Sequence, residues 1–352
     1  MFAKRLINFM GTIRSIYKNG RGDKTFMNIL LSIPDDKTAN YYLVNALQDL
    51  GHSVFYINHR INVGLAKVYV NEMLGTKKID CIIVGHFVAG QTYDKHYLQL
   101  LKNNYPNVKL IALFFDTYVD GMLCWENKHF IPLMQEYHLC FSVSDLIVQY
   151  LKGKNVNSKK MFFGFDSALT PWASSDKIKD IDISFIGQFG YQNNVVHRPR
   201  LEYLDRICRE FDNVQIYGSC GMISDNIGKK YMGRGTYNDY EYARIISRSK
   251  ISFGYSDSGD GVPLCGFSNR VVHTLGFGGF LMYNRIPLLE KEFVDGKDLI
   301  LYDNINDFLE KAHYYISNDR ERNAIAETGR NKVHTQYLWE KSLSMILEVL
   351  ND

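Results

Sequence analysis

The stretch CGFSNRVVHTLGFGGFLMYNR, residues 265–285, carries two signals side by side. Arg270 to Leu275 has the spacing of a short helix with one arginine and one histidine. Gly276, Gly278 and Gly279 then interrupt it, and Phe280-Leu281-Met282-Tyr283 resumes as a buried strand. Ser268 or Asn269 can cap the helix, leaving the N–H groups of its first turn to face a ligand. Arg270 in that first turn runs against the helix dipole, and a bound diphosphate removes the conflict by neutralising both. His273, three residues on, shares the face of Arg270. A plainer arrangement is the alternative, with Arg270 paired to Asp257 or Asp260 and His273 packed in the core.

A helix, a glycine exit and an apolar strand form half of a strand–helix–strand unit, and the chain repeats this pattern in both directions. Upstream, DISFIGQFG (182–190), VQIYG (214–218) and KISFGYS (250–256) read as strands, with helices at 199–210 and 238–248 between them. Downstream come DLILYD (298–303) and helical stretches at 305–316, 319–334 and 338–350. An earlier series has strands at 26–33, 53–58, 79–87 and 108–116, a helix at 40–51 and another near 92–104. Continuous apolar strands alternating with amphipathic helices mean parallel sheets covered on both faces. The polar segment 168–180 reads as a hinge between an N-terminal domain, 23–167, and a C-terminal domain, 181–337. Ligands in doubly wound sheets bind beyond the carboxyl ends of the strands, so the loops there carry the function.

Composition is that of a soluble globular protein. The 352 residues are 46% hydrophobic and 22% charged, with a net charge of +3, too mild to indicate a nucleic-acid protein. The six cysteines are scattered without a C-x-x-C pair, which suits reduced thiols and a cytoplasmic protein. No apolar run is long enough to span a membrane, and no secretory signal is evident. Residues 1–18 gather Phe2, Leu6, Phe9, Met10, Ile13, Ile16 and Tyr17 on one helical face, with Lys4, Arg5, Arg14 and Lys18 opposite. Such a basic amphipathic helix, within the segment 1–22, suits peripheral contact with an anionic membrane at its inner face. Docking on its own domain or on a second subunit suits it as well.

Other strand ends offer further ligand groups. Gly187-Gln188-Phe189-Gly190 lacks the G-x-G-x-x-G spacing of a dinucleotide site, but Arg198 and Arg200 follow at a helix start and suit a phosphate. Arg234-Gly235-Thr236 precedes another helix, where glycine lets a flat base approach the backbone. The D-x-D at Asp180-Ile181-Asp182 stands at a strand entrance and reads as structural rather than metal-binding.

From about 182 to 337 the chain resembles the C-terminal domain of GT-B glycosyltransferases, especially the group related to bacterial spore-maturation glycosyltransferases. Their pattern R-x-F-E-A-L-A-C-G-G-F-L is matched by R-V-V-H-T-L-G-F-G-G-F-L at 270–281. Leu288-Leu289-Glu290, Asp295-Gly296-Lys297-Asp298 and Asp319-Arg320-Glu321-Arg322 follow in the family's order. The resemblance implies a GT-B fold of two doubly wound domains, with helix 338–352 returning to the N-terminal domain. It also implies transfer of a sugar from a UDP- or GDP-sugar, bound as substrate, to a glycan or lipid-linked acceptor, without cofactor or metal. The donor would meet Gly187, Arg198, Arg200, Arg234, Gly235, Thr236, Ser268, Asn269, Arg270 and His273. The wider retaining family carries a Glu-x7-Glu pair, whose second member holds the donor ribose. Cys265 and His273 occupy those positions here, so a ribose contact falls to an imidazole.

An inverting enzyme needs a general base for the acceptor hydroxyl. Asp116, after the apolar run IALFF, is the first candidate and His86, after CIIVG, the second. Two other functions fit the same residues: a bacteriophage-type DNA glucosyltransferase, and a nucleotide-sugar-binding module without catalysis.

Overall fold

The computed structural model describes residues 26–33, 39–58, 63–86, 93–115, 130–172, 178–190, 197–233, 239–256 and 268–351. Asp116, Arg234, Gly235, Thr236, Cys265 and the amphipathic segment 1–18 therefore lie outside the described residues. The chain divides into two compact units. The first takes its described residues from Met1–Asp116, Met122–Met161 and Leu343–Asp352, and the second from Phe162–Ser342.

In the first unit, β1 (Asn28–Ile33), β2 (Ser53–Asn58), β3 (Cys81–His86), β4 (Lys109–Phe114), β5 (Leu139–Ser142) and β6 (Ser158–Lys160) form one sheet in the order β2-β1-β3-β4-β5-β6. Every pairing is parallel. Ile29, Leu30, Leu31, Ile82, Ile83, Ile111 and Ala112 are fully buried, as expected for central strands covered by helices on both sides. The helix α1 (Ala39–Asp49) follows β1, and α2 (Val63–Thr76) follows β2. Helix α2 escapes periodicity because apolar residues occupy every face of VGLAKVYVNEMLGT; Ala66 and Val70 are buried while Leu65 and Val68 are exposed. The series continues through α3 (Lys95–Asn104), α4 (Phe130–Met134) and α5 (Asp145–Gly153).

The second unit repeats the topology. Strands β7 (Ile181–Ile186), β8 (Val214–Tyr217), β9 (Ser249–Gly254), β10 (Leu281–Asn284) and β11 (Ile300–Tyr302) are all parallel, in the order β11-β10-β9-β7-β8. The chain leaves β7 to one side for β8 and returns to the other side for β9, so the strand order reverses at β7. At such a switch point the loops leaving neighbouring strands diverge and open a crevice. Its helices are α6 (His197–Glu210), α7 (Asp225–Gly228), α8 (Asp239–Arg248), α9 (Asn269–Gly276), α10 (Pro287–Glu292), α11 (Ile305–Ser317) and α12 (Asp319–Gln336); α13 (Trp339–Asn351) starts in this unit and belongs to the first from Leu343 onward.

The D-x-D forms ion pairs at the entrance of β7. Asp180 accepts two hydrogen bonds from Arg248, at 2.8 and 2.6 Å, and Asp182 lies 2.8 Å from Lys250. The motifs downstream of 281 are scaffold too. Asp298, almost fully buried, accepts from Lys332 Nζ at 2.7 Å and from Val294 N at 2.9 Å. Arg285 bridges Glu290, Asp295 and Asp303, and the buried Arg322 binds Asp319 and the carbonyl of Tyr315. Among the described residues no helix is long and apolar enough to cross a membrane.

Candidate functional site

Helix α9 is fixed at its far end before anything can be asked of its near end. Gly278 takes a positive φ of 76°, its N–H donates to Leu275 O and that of Gly279 to Thr274 O. This is the Schellman closure, and the left-handed residue it needs is supplied by glycine. The carbonyl of Gly276 lies 2.8 Å from His334 Nε2 on α12. A β-carbon on Gly276 would strike the ring of Phe165 at 2.4 Å, so the helix end is seated where only glycine fits.

The near end opens on a pocket of about 220 Å³ at the switch point of the second sheet. Ile186, Gly187 and Gln188 enter it from the end of β7, Gly218 and Ser219 from the end of β8, and Tyr242 from α8. Ser268, Asn269, Arg270 and His273 complete the lining from α9. Ser268 is the N-cap residue by backbone geometry, yet its side chain makes no cap hydrogen bond; its Oγ lies 3.4 Å from Tyr283 Oη instead. An N-terminus without a side-chain cap keeps its capacity for an anion.

Arg270 resolves its conflict with the dipole by folding back across the strand end. Its Nε donates to Ile186 O at 2.8 Å, and the guanidinium lies over the Phe185 ring with Cζ 4.8 Å from the centroid. A β-carbon on residue 187 would sit 2.0 Å from Arg270 Nη2, so the guanidinium occupies the space that a side chain there would take. Gly218 is required in turn, with a φ of 123° and a β-carbon position 2.0 Å from Gly187 O. Arg270 Nη1 is buried without a hydrogen-bond partner. Among the described lining residues Arg270 alone carries a formal charge at neutral pH. A buried cationic N–H left unpaired costs about 1–3 kcal/mol, which an anion in the pocket would recover.

His273 is buried at 7% exposure, edge-on to Phe165, Tyr242 and Phe277. Burial depresses its pKa from 6.5 to about 4, so the ring is neutral at physiological pH. Its Nε2 lies 3.1 Å from Asn269 Nδ2, one helical turn back. The histidine thus both packs in the core and lines the pocket, joining two arrangements that the sequence presents as alternatives.

Other expected donor contacts are placed differently. Arg200 is buried and donates to Gln188 O at 2.5 Å and Tyr255 O at 2.8 Å, which ties the loop after β7 to the end of β9. Arg200 is not among the residues that line the pocket. Arg198 has an 83% exposed side chain, 3.8 Å from Glu202. His86 closes β3, where its backbone pairs with Phe114. Gln188, Gly218, Ser219 and Tyr242 were not expected at the site. The signal for Gly218 was present, a glycine directly after the strand VQIY; nothing in the sequence marked Tyr242, which faces the pocket from mid-helix.

Residues 173–348, half of the chain, match the family model described as glycosyl transferase-like. No curated protein sequence matches the chain. Among solved structures, sucrose-phosphate synthase from Thermosynechococcus elongatus superposes with a TM-score of 0.63 at 12% identity, covering 92% of this chain and 98% of that one. HepE of Anabaena, in complex with UDP, gives 0.63 at 11% identity, covering 92% and 100%. A glycosyltransferase from Rickettsia africae gives 0.62 at 12%, covering 93% and 98%. With two parallel-sheet units of GT-B type and a family match that spans the whole pocket, the chain belongs to the glycosyl transferase-like family.

Proposed function

We propose that this glycosyltransferase takes a UDP- or GDP-sugar as donor, with the diphosphate lying against the N-terminus of α9 and the guanidinium of Arg270. The observation that carries this reading is the buried, unpartnered Nη1 of Arg270 beside a helix N-terminus without a side-chain cap. HepE, with its bound UDP, favours the uridine form of the donor. As the bond from the sugar C1 to the diphosphate breaks, negative charge grows on the leaving oxygen. Donors held in place beforehand meet that charge without reorganising, so no metal is needed for this step. The acceptor hydroxyl forms the new bond to C1 and gives its proton to Asp116, with His86 as the second candidate. The acceptor is a bacterial cell-surface glycan or glycoconjugate, on the strength of the resemblance over 270–281, and residues 1–18 bring the enzyme to the inner membrane face where lipid-linked acceptors lie.

The test is a panel of UDP- and GDP-sugars, read by thermal shift and by release of nucleoside diphosphate. The reading expects at least one nucleotide-sugar to stabilise the fold, and Arg270→Ala to reduce the shift while preserving the melting transition. Stabilisation without release under any acceptor would assign a binding module instead of an enzyme.

A further inference from the structure

Asn269, which lines the pocket, carries a second orphan atom that the diphosphate does not explain. Asn269 Oδ1 is buried and has no hydrogen-bond partner, while the other end of the same amide, Nδ2, lies 3.1 Å from His273 Nε2. An amide nitrogen has only hydrogens to offer, so the imidazole nitrogen facing it must be the acceptor, and the ring proton then sits on Nδ1. With Nδ2 committed to the ring, the amide plane is fixed and Oδ1 can only accept.

We propose that Asn269 is a ligand-binding residue whose Oδ1 accepts a hydrogen bond from a hydroxyl of the bound donor, and that His273 is the positioning residue that holds the amide in that orientation. This rests on the nucleotide-sugar reading of the site. It replaces direct contact between His273 and the ribose with contact through Asn269, one turn nearer the helix N-terminus. A neutral side chain in this role adds no negative charge beside the diphosphate, and the pocket keeps Arg270 as its one formal charge among the described lining residues. The hydroxyl can belong to the ribose or to the transferred sugar, and the ligands below separate the two.

Calorimetric titration of the full chain with pyrophosphate, UDP, 2′,3′-dideoxy-UDP and UDP-glucose tests the assignment. Asn269→Ala should weaken UDP binding by about three- to tenfold, the loss of one neutral hydrogen bond, and leave pyrophosphate binding unchanged. The parent should lose the same factor on going from UDP to the dideoxy ligand, and Asn269→Ala should lose nothing more. A loss seen with UDP-glucose but not with UDP places the hydroxyl on the sugar and supports the same contact. His273→Phe, which keeps an aromatic ring against Phe165 and Tyr242, should reproduce the loss, and the double variant should be no worse than either single one. The 15N spectrum of the parent should show His273 as the Nδ1–H tautomer. Additive losses, equal affinity of Asn269→Ala and parent for UDP and UDP-glucose, or the Nε2–H tautomer would each overturn the proposal. If Asn269→Ala binds these ligands as the parent does while Arg270→Ala still weakens pyrophosphate binding, the diphosphate site stands and only the Asn269 contact falls. A parent that binds no diphosphate removes both.

Discussion

Replacing Gly187 with alanine puts one methyl group where the Arg270 guanidinium lies. The new carbon would sit 2.0 Å from Nη2, 3.1 Å from Cζ and 3.2 Å from Phe185 Cζ. The arginine is the side chain able to give way, and to do so it must release the 2.8 Å bond to Ile186 O and its place over the Phe185 ring. A charge-assisted hydrogen bond is worth about 1.5–3 kcal/mol and a partly exposed cation–π contact about 0.5–1. The displaced guanidinium regains water, which leaves about 1–2 kcal/mol, and the φ of 158° at Gly187, rarely adopted by L residues, adds about 1–3 kcal/mol of backbone strain, so a stability loss of about 2–5 kcal/mol is expected. Diphosphate affinity falls further, because the cation leaves the pocket: loss of one charge-assisted contact weakens binding roughly tenfold to a hundredfold. Calorimetry with UDP and urea denaturation measure the two effects on one preparation. In an Arg270→Ala background the methyl meets no guanidinium, so Gly187→Ala should there add little to the loss of binding. If it weakens UDP equally in both backgrounds, the glycine acts on the ligand or the backbone directly, and the account of Arg270 is wrong.

Three further outcomes follow from named contacts. His273 has a folded-state pKa near 4 against an ordinary 6.5, so between these values the unfolded chain binds a proton that the folded one refuses. Its contribution to stability is intact above about pH 6.5 and falls by about 3 kcal/mol as the pH drops to 4; His273→Phe should show a correspondingly flatter pH dependence in urea melts, and an unchanged slope would place the acid sensitivity elsewhere. Asp298→Ala leaves the Lys332 ammonium and the Val294 N–H without their buried acceptor and should cost about 3 kcal/mol without changing UDP affinity; a binding defect of similar size would give this acidic residue a role beyond scaffold. Deleting residues 1–18 should abolish salt-sensitive binding to anionic vesicles, and vesicle binding that survives the deletion would leave that segment a docking helix.

The parts of this site that sequence reveals are those set by neighbours along the chain. The short helix after Ser268, its glycine stop and the strand that follows come from local rules, and so do the alternating strands that place them in a parallel sheet. The D-x-D could be read as structural because it stands at a strand entrance. What escaped is set by contacts far apart in sequence. That Gly187 exists to admit Arg270, and Gly218 to admit the backbone of Gly187, depends on strand exits meeting at the switch point. Arg200 looks like a phosphate ligand at a helix start until its two carbonyl partners are known. The pairing of Asn269 with His273 follows the i,i+4 rule, but the eye goes first to the charged neighbour at i,i+3. Helix α2 was hidden for the opposite reason, since a segment apolar on every face has no period to detect.

The most direct test is a crystal structure of the protein soaked with UDP. The account predicts diphosphate density at the N-terminus of α9, within hydrogen-bond distance of the Arg270 guanidinium and of the backbone N–H groups of Asn269 and Arg270. UDP bound elsewhere, with the pocket beside Gly187 and Arg270 filled only by water, would contradict it.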